Sequence, residues 1–301
     1  MKKTPVIYIS IILGALALGG LGGMAYKRLF GEKNYEITGF SEDSLKEDMP
    51  SLMARYAEYR GTNVARDFTP SELINIGLEN YRNAPNSYSF GIGSSTGTAL
   101  GIQVNQSIRS YQIRNDNLYF EESISDSSFV HLGSRMLQAG IGADIEVLNT
   151  ESVVPPDFAH FPSAGAIYSA ETYKATFGRT ITEMFIYIIS NKTDRGSEVE
   201  VDSNGDYKIK ISLETMFSTY NYKLQMKNLS NLDAYPNFQY VSLEFTLTKQ
   251  LMLKQMHVLE AFTATKAGMS PIMTNDITYY YHANEYVPIP EYNEPCDYTL
   301  I

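Results

Sequence analysis

The side chains able to do chemistry in this chain are few and scattered. The histidines are His131, His160, His257 and His282. None stands at metal-ligand spacing from another His, Asp or Glu, and no HExxH occurs. His257 and His282 fall in late strand-like segments where they could approach each other, but polar decoration of a strand accounts for both. Asp202-Ser203-Asn204-Gly205-Asp206 looks like part of a calcium loop, yet the position that must carry a bidentate Glu is Ile211. A tight hairpin turn explains the segment better. Glu121-Glu122 would be an acid/base pair only if both faced one site, and neighbours on a strand face opposite ways. No GxSxG occurs. The run Gly91-Ile92-Gly93-Ser94-Ser95-Thr96-Gly97 lacks the Lys and following helix of a phosphate loop and reads as a turn between strands. The single cysteine, Cys296, excludes an internal disulfide and a cysteine metal site and leaves a free thiol or an intermolecular bridge. These residues point to a protein that is not an enzyme and needs no metal or cofactor.

The remaining cue is apolar. Met216, Phe217, Tyr220, Leu224 and Met226 lie at helical spacing; Phe245, Leu247, Met252, Met256, Phe262, Tyr279, Tyr280 and Tyr281 lie in late strands. Met and Tyr make adaptable walls for greasy ligands. The candidate ligand-binding set is Phe217, Tyr220, Leu224, Phe245, Leu247, Tyr279 and Tyr281, with an ordinary helix-on-sheet core as the plainer explanation of the same residues.

The elements that would position this set follow from periodicity. Ser51–Tyr59 suits a short helix. Thr69-Pro70-Ser71-Glu72 is a helix start, with Thr69 at the N-cap, Pro70 at the first position and Glu72 placed to reach back, so a helix is predicted over Pro70–Arg82. From Tyr88 the period becomes two: Tyr88, Phe90 and Ile92, then Ile102, Val104, Gln106 and Ile108, then Leu118–Glu122 after the turn at Asn115-Asp116-Asn117. Ser127–Leu137 and Glu171–Phe177 read as short helices, Asp144–Asn149 as a strand, and the segment with Pro155, Pro156 and Pro162 as a loop. Glu183–Ser190 reads as a buried strand. Val199 and Val201 lead through Asn204-Gly205 into Tyr207, Ile209, Ile211 and Leu213, a hairpin. A helix over Thr215–Leu229 precedes strands at Val241–Leu247, Leu251–Phe262 and Ile277–His282, and Val287-Pro288-Ile289-Pro290 forms an extended tail.

The N-terminus addresses location. Met1-Lys2-Lys3 precedes an uncharged stretch from Thr4 to Tyr26, and Lys27, Arg28 and Lys33 follow. About 20 apolar residues suffice to cross a bilayer. The stretch is a signal anchor or a cleaved signal peptide, with Ala15-Leu16-Ala17 or Gly23-Met24-Ala25 as cleavage sites; the length of the uncharged run favours the anchor. The short basic head places the remainder outside the cytoplasm. The chain has 301 residues, with 24 basic and 34 acidic side chains for a net of −10. Since only Glu32 is acidic in residues 1–33, the exported part is more acidic than the whole. Such a body excludes nucleic acid as a partner and stands off an anionic membrane surface.

This order of parts resembles the bacterial lipoprotein-carrier superfamily of the LolA, LolB and LppX type, in which an export segment precedes a capped helix and a strongly curved antiparallel sheet closed by helices. The resemblance lies in the helix Pro70–Arg82, the strand run Tyr88–Glu122 and the late helix before the last strands. No lipobox Cys follows the apolar stretch, unlike the lipoprotein members. The expectation is an α+β chain. Residues 1–30 form a transmembrane signal anchor and 31–64 a linker with a short helix. Residues 65–301 form a curved antiparallel half-barrel of about nine to eleven strands with helices packed on its concave face. Its expected role is a single-pass, membrane-anchored extracytoplasmic carrier for a lipid or other apolar ligand. The alternative is a structural or protein-interaction module of a cell-envelope complex.

Overall fold

A computed structural model describes residues 42–290 of the chain apart from 117, 128–130, 153–164, 182, 184 and 231. The expected membrane anchor at 1–30, the loop with Pro155, Pro156 and Pro162, and Cys296 lie outside the described residues, as does most of the linker before residue 42. Among the described residues no helix is long and apolar enough to cross a membrane.

Eleven strands form one sheet: β1 (Asn86–Ala99), β2 (Ile102–Asn115), β3 (Leu118–Asp126), β4 (His131–Ile141), β5 (Asp144–Ser152), β6 (Ala166–Ser169), β7 (Asp194–Val201), β8 (Tyr207–Leu213), β9 (Asn237–Leu247), β10 (Leu253–Thr263) and β11 (Ile272–Ala283). Their order is β6-β5-β4-β3-β2-β1-β11-β10-β9-β8-β7, antiparallel throughout. Two meanders are thus seamed at β1 and β11, the first and last of the described strands. Five helices accompany the described sheet: α1 (Met49–Glu58), α2 (Val64–Asp67), α3 (Pro70–Arg82), α4 (Ala170–Phe177) and α5 (Tyr220–Leu229).

The start of α3 forms as its sequence dictates. The Glu72 amide donates to the Thr69 hydroxyl at 3.3 Å, and the Thr69 amide donates to the Glu72 carboxylate at 2.8 Å. Leu73, Ile74 and Ile76 are buried against the β8–β10 end of the sheet. At Gly77 an added Cβ would come within 2.6 Å of Leu247, so the glycine lets the helix settle onto β9. At the other end of the sheet α4 covers Met136, Ile145 and Val147 with Tyr173 and Phe177.

We call the helix-covered side the inner face. Strand β1 presents Ser89, Gly91, Gly93 and Ser95 to it and Tyr88, Phe90 and Ile92 to the outer face. A Cβ on Gly93 would fall 2.1 Å from the Asp276 carbonyl oxygen and 2.6 Å from the Ile277 Cα. The backbone of β11 therefore approaches β1 so closely here that only glycine fits. On the outer face Tyr88, Phe90, Tyr111, Ile113 and Phe120 form a second cluster, packed by Val287 and Ile289 of the extended tail; Asn115 Nδ2 ties that tail down through the Val287 carbonyl at 2.8 Å.

Several expectations are corrected. Ser127–Leu137 is not a helix: its described part from His131 belongs to β4. This strand is buried on both faces, from Gly133 through Met136, so it shows no alternation of polarity. Glu183–Ser190 is not a strand. Its described residues cross the inner face irregularly, as part of a strap over 179–193 that joins α4 to β7. The strap's backbone groups pair with other elements: the Ile188 amide donates to the Ser218 carbonyl at 2.8 Å, and Asn75 Nδ2 donates to the Ile189 carbonyl at 2.9 Å. The Gly91–Gly97 run is the middle of β1 rather than a turn. Of the expected helix Thr215–Leu229, the α-helix begins at Tyr220; the Glu214 carboxylate instead accepts from the Met216 and Phe217 amides in the preceding turn. The hairpin at Asp202–Asp206 forms as expected, with Gly205 at φ 84° and Asp202 Oδ1 accepting from the Asn204 amide at 2.8 Å.

Candidate functional site

The two helix-covered cores of the inner face leave a hollow between them over β1–β3, β10 and β11. Its floor is low because β1 contributes only Ser and Gly there. At Gly91 a Cβ would lie 2.6 Å from both Ser110 Oγ and the Tyr279 ring, so the tyrosine occupies space the glycine leaves open. The hollow holds a cavity of about 140 Å³. Ile108, Met256, Val258 and Ile277 are among its apolar lining, and its polar lining includes Glu121, Arg179, Glu260, Asn275 and several tyrosines. A second cavity of about 160 Å³ lies between α3, the strap and Tyr281, lined by Met49, Leu78, Ile189 and Leu253, with Lys46, Glu47, Glu79, Arg82 and Glu183 also on its wall. The two share Phe185, Tyr187 and Tyr281 as lining residues. They abut across an aromatic partition, two of whose three members belong to the strap.

The polar groups of the inner cavity fall into two sets. On β10, Glu260 is 2% exposed. Its Oε2 accepts from the Tyr187 hydroxyl at 2.5 Å, and its Oε1 accepts from Asn275 Nδ2 at 2.8 Å and the Tyr222 hydroxyl at 3.4 Å. Burial raises its pKa above the usual carboxylate value, and these hydrogen bonds only partly oppose that. Burial, followed by the charge of Glu260, likewise pushes the Tyr187 and Tyr222 hydroxyls well up. On β3, Glu121 accepts from the Tyr119 hydroxyl at 3.2 Å and lies 3.7 Å from the Arg179 guanidinium. Burial raises Glu121 too, against the charge of Arg179. Arg179 donates to the Glu183 carbonyl at 3.3 Å and sits 5.1 Å above the Tyr119 ring. It enters the hollow directly after Gly178, which ends α4 at φ 70°.

At the rim of the outer cavity, Lys46 pairs with Glu42 and lies 3.5 Å from Glu183. Burial alone would raise Glu42 and Glu183. Hydrogen bonds from Lys46 and Asn221 to the first, and from the Thr180 backbone to the second, together with the Lys46 and Lys174 charges, hold both below the usual value.

Of the residues singled out from sequence, Tyr279 and Tyr281 line the inner cavity, and Tyr281 lines both. Phe245 is fully buried behind the strap, its ring 5.8 Å from that of Phe185. Leu247 is buried under α3. Phe217, Tyr220 and Leu224 are half-buried in α5 and the turn before it, and are not among the described lining residues of either cavity. The hollow brings together Glu121, Arg179, Glu260, Asn275, Tyr187 and Tyr222, none of which sequence reasoning proposed as a site. Glu121 and Glu122 face opposite sides, as strand geometry requires. Glu122 is buried on the outer face and accepts from Arg135 Nε at 2.6 Å. His257 and His282 do not converge: His257 pairs with Asp276 at 2.8 Å and His282 stacks on Tyr88. Among the described residues no cluster of His, Cys, Asp and Glu could hold a metal ion.

No protein-family model and no curated protein sequence matches the chain. Solved structures similar to it include a DUF1329 family protein from Desulfovibrio piger ATCC 29098, at 8% identity over 73% of this chain and 92% of that one, TM-score 0.25. A putative outer membrane lipoprotein-sorting protein domain from Vibrio parahaemolyticus matches at 10% identity over 69% and 92%, TM-score 0.23. The ywiB protein from Bacillus subtilis matches at 7% identity over 65% and 91%, TM-score 0.18. The functional reading rests on the cavities themselves.

Proposed function

We propose that the chain is a non-catalytic binding or carrier domain for a lipid or other largely apolar ligand, tethered outside the cytoplasmic membrane by its N-terminal apolar segment. The observation that carries this reading is the pair of cavities abutting across Phe185, Tyr187 and Tyr281. Each alone has about the volume of a cavity that takes up benzene. Joined by a shift of the partition they reach about 300 Å³, the lower end of small-molecule sites. The partition is suited to moving, because Phe185 and Tyr187 sit on a strap outside the sheet's hydrogen-bond ladder. Burying hydrocarbon there contributes roughly 25 cal/mol per Å². The tether and the extracytoplasmic location rest on the uncharged run Thr4–Tyr26. Native mass spectrometry after mild purification, with titration of fluorescent fatty acids, tests the reading: co-purified lipid or saturable binding is expected, and neither being found would refute it.

The volumes also favour a second reading, an interaction module of a cell-envelope complex whose hollow is closed by its own strap. In that case the amides of the strap stay protected from hydrogen exchange whatever ligand is added. In-cell crosslinking through Cys296 then captures a protein partner.

A further inference from the structure

The inner cavity has an unbalanced polarity. Among the described residues, no cationic side chain lies within ion-pairing distance of Glu260, although it is almost fully buried. Its three donors are two phenols and an amide. Because Asn275 Nδ2 must donate to that carboxylate, the orientation of the amide is fixed, and its Oδ1 is left buried with no hydrogen-bond partner. Asn275 is 2% exposed and lines the cavity. Ser110 Oγ, also lining it, is buried and unpartnered as well. Arg179, the one basic residue on this wall, is already directed at Glu121 and the Tyr119 ring. Tyr187 and Tyr222 donate to Glu260 with their rings 5.7 Å apart and edge to face, and Tyr279 lines the same cavity from further along β11.

A buried carboxylate without a counter-ion, an orphaned acceptor beside it and neighbouring phenols together want a group that is positively charged, donates hydrogen bonds and tolerates aromatic surroundings. An alcohol supplies the donor but not the charge; an anion supplies neither and meets Glu260 and Glu121. Protonated amines, and a quaternary ammonium that carries a hydroxyl such as choline, supply both the charge and the donor.

We propose that the inner cavity is a head-group site for an amine or ammonium ion, held by Glu260 and Asn275 and flanked by Tyr187, Tyr222 and Tyr279. This deepens the carrier reading and rests on it for the position of the tail, which would pass the Phe185–Tyr187–Tyr281 partition into the outer cavity. The cavity's volume suits a small ammonium group and excludes a chain.

The test titrates the full-length protein, held in amphipol so that no detergent monomer competes, with decylamine, decanol and decanoate, and separately with choline. Decylamine should bind about tenfold or more tighter than decanol, with decanoate weakest, the equivalent of one strong desolvated cation contact. Glu260→Gln should abolish the preference of amine over alcohol. Equal binding of the three decyl compounds would overturn the ammonium site and leave the carrier reading standing. Choline binding lost in Glu260→Gln, without binding of any decyl chain, would support the site, assign it to small free ammonium compounds and overturn the carrier reading. An amine preference that survives Glu260→Gln, or no binding of any probe, would overturn the site. Should Glu260→Gln fail to fold, Tyr279→Leu is read in its place: it should weaken decylamine more than decanol.

Discussion

Tyr187→Phe isolates the hydrogen bond that joins the strap to the sheet. The substitution keeps the ring, and so its contacts with Phe185 at 5.4 Å and Tyr222 at 5.7 Å. It removes only the hydroxyl that donates to Glu260 Oε2 at 2.5 Å. That oxygen has no other donor among the described hydrogen bonds, whereas Oε1 has both Asn275 and Tyr222. A hydrogen bond to a charged or strongly polarised group contributes about 1.5–3 kcal/mol, and loss of a buried acceptor's sole partner exacts its desolvation cost in full. Tyr187→Phe should therefore destabilise by about 2–3 kcal/mol. Tyr222→Phe, which removes a 3.4 Å bond from an oxygen still served by Asn275, should cost under about 1 kcal/mol. For a domain of this size the first loss lowers the thermal midpoint by about 4–12 °C. Urea unfolding of the two variants, and of each combined with Glu260→Gln, gives the coupling energies directly. If the two phenol deletions cost the same, or if Tyr187→Phe costs no more in the presence of Glu260 than in its absence, the assignment of Oε2 to Tyr187 is wrong.

Gly178→Ala should destabilise by at least about 2 kcal/mol, read from urea midpoints. The residue has φ 70° and its Cβ would lie 2.3 Å from the Asn221 carbonyl oxygen, so left-handed strain and a clash between α4 and α5 act together. Thr69→Ala should cost about 1 kcal/mol through loss of the α3 cap, with ligand binding unchanged in the same preparation. Gly91→Leu should displace Tyr279, close the inner cavity and abolish saturable binding by fluorescence titration while circular dichroism still reports a sheet. The carboxylates predict pH effects of opposite sign. Glu42 and Glu183 have folded pKa values below their ordinary 4.5, so their stabilisation is present above that pH and is lost as pH falls through the lower folded values. Glu260 and Glu121 have raised values, so theirs is present below 4.5 and is lost as pH rises through the folded values. Urea unfolding from pH 3 to 8 should show Glu42→Gln losing more stability at neutral than at acid pH, and Glu260→Gln gaining at neutral pH relative to acid.

Much of the scaffold was legible because its signals are local. The α3 cap, the Asn204-Gly205 hairpin and the alternation in β2, β8 and β9 are each written within a dozen residues. The failures share a cause. β4 is covered on both sides, and the strap is an apolar run that forms no ladder, so a pattern of polarity could not separate helix, strand and irregular chain. The site residues were harder because the hollow is assembled from β3, β10, β11, α5 and the strap. A faint signal did exist: on β10 the inward positions run Met256, Val258, Glu260, Phe262, and on β11 Met273, Asn275, Ile277, Tyr279. A charge and an amide at cross-strand partners, both breaking an apolar parity, mark a deliberate polar spot. Its pairing was invisible until the β10–β11 register was known.

The seam between β1 and β11 has a consequence for assembly. The middle of the sheet is its most distant pairing in sequence, while its margins are made by neighbouring hairpins. Each meander can pair internally as it is made, yet both keep an open flank until the final strand arrives, and the closing step carries the largest loop-closure entropy in the molecule. A nascent chain stopped short of β11 exposes two long strand rims, those of β1 and β10, as templates for other chains. Ribosome-stalled or C-terminally clipped forms should accordingly be the aggregating species, and swapping of β11 between copies the natural route to a dimer.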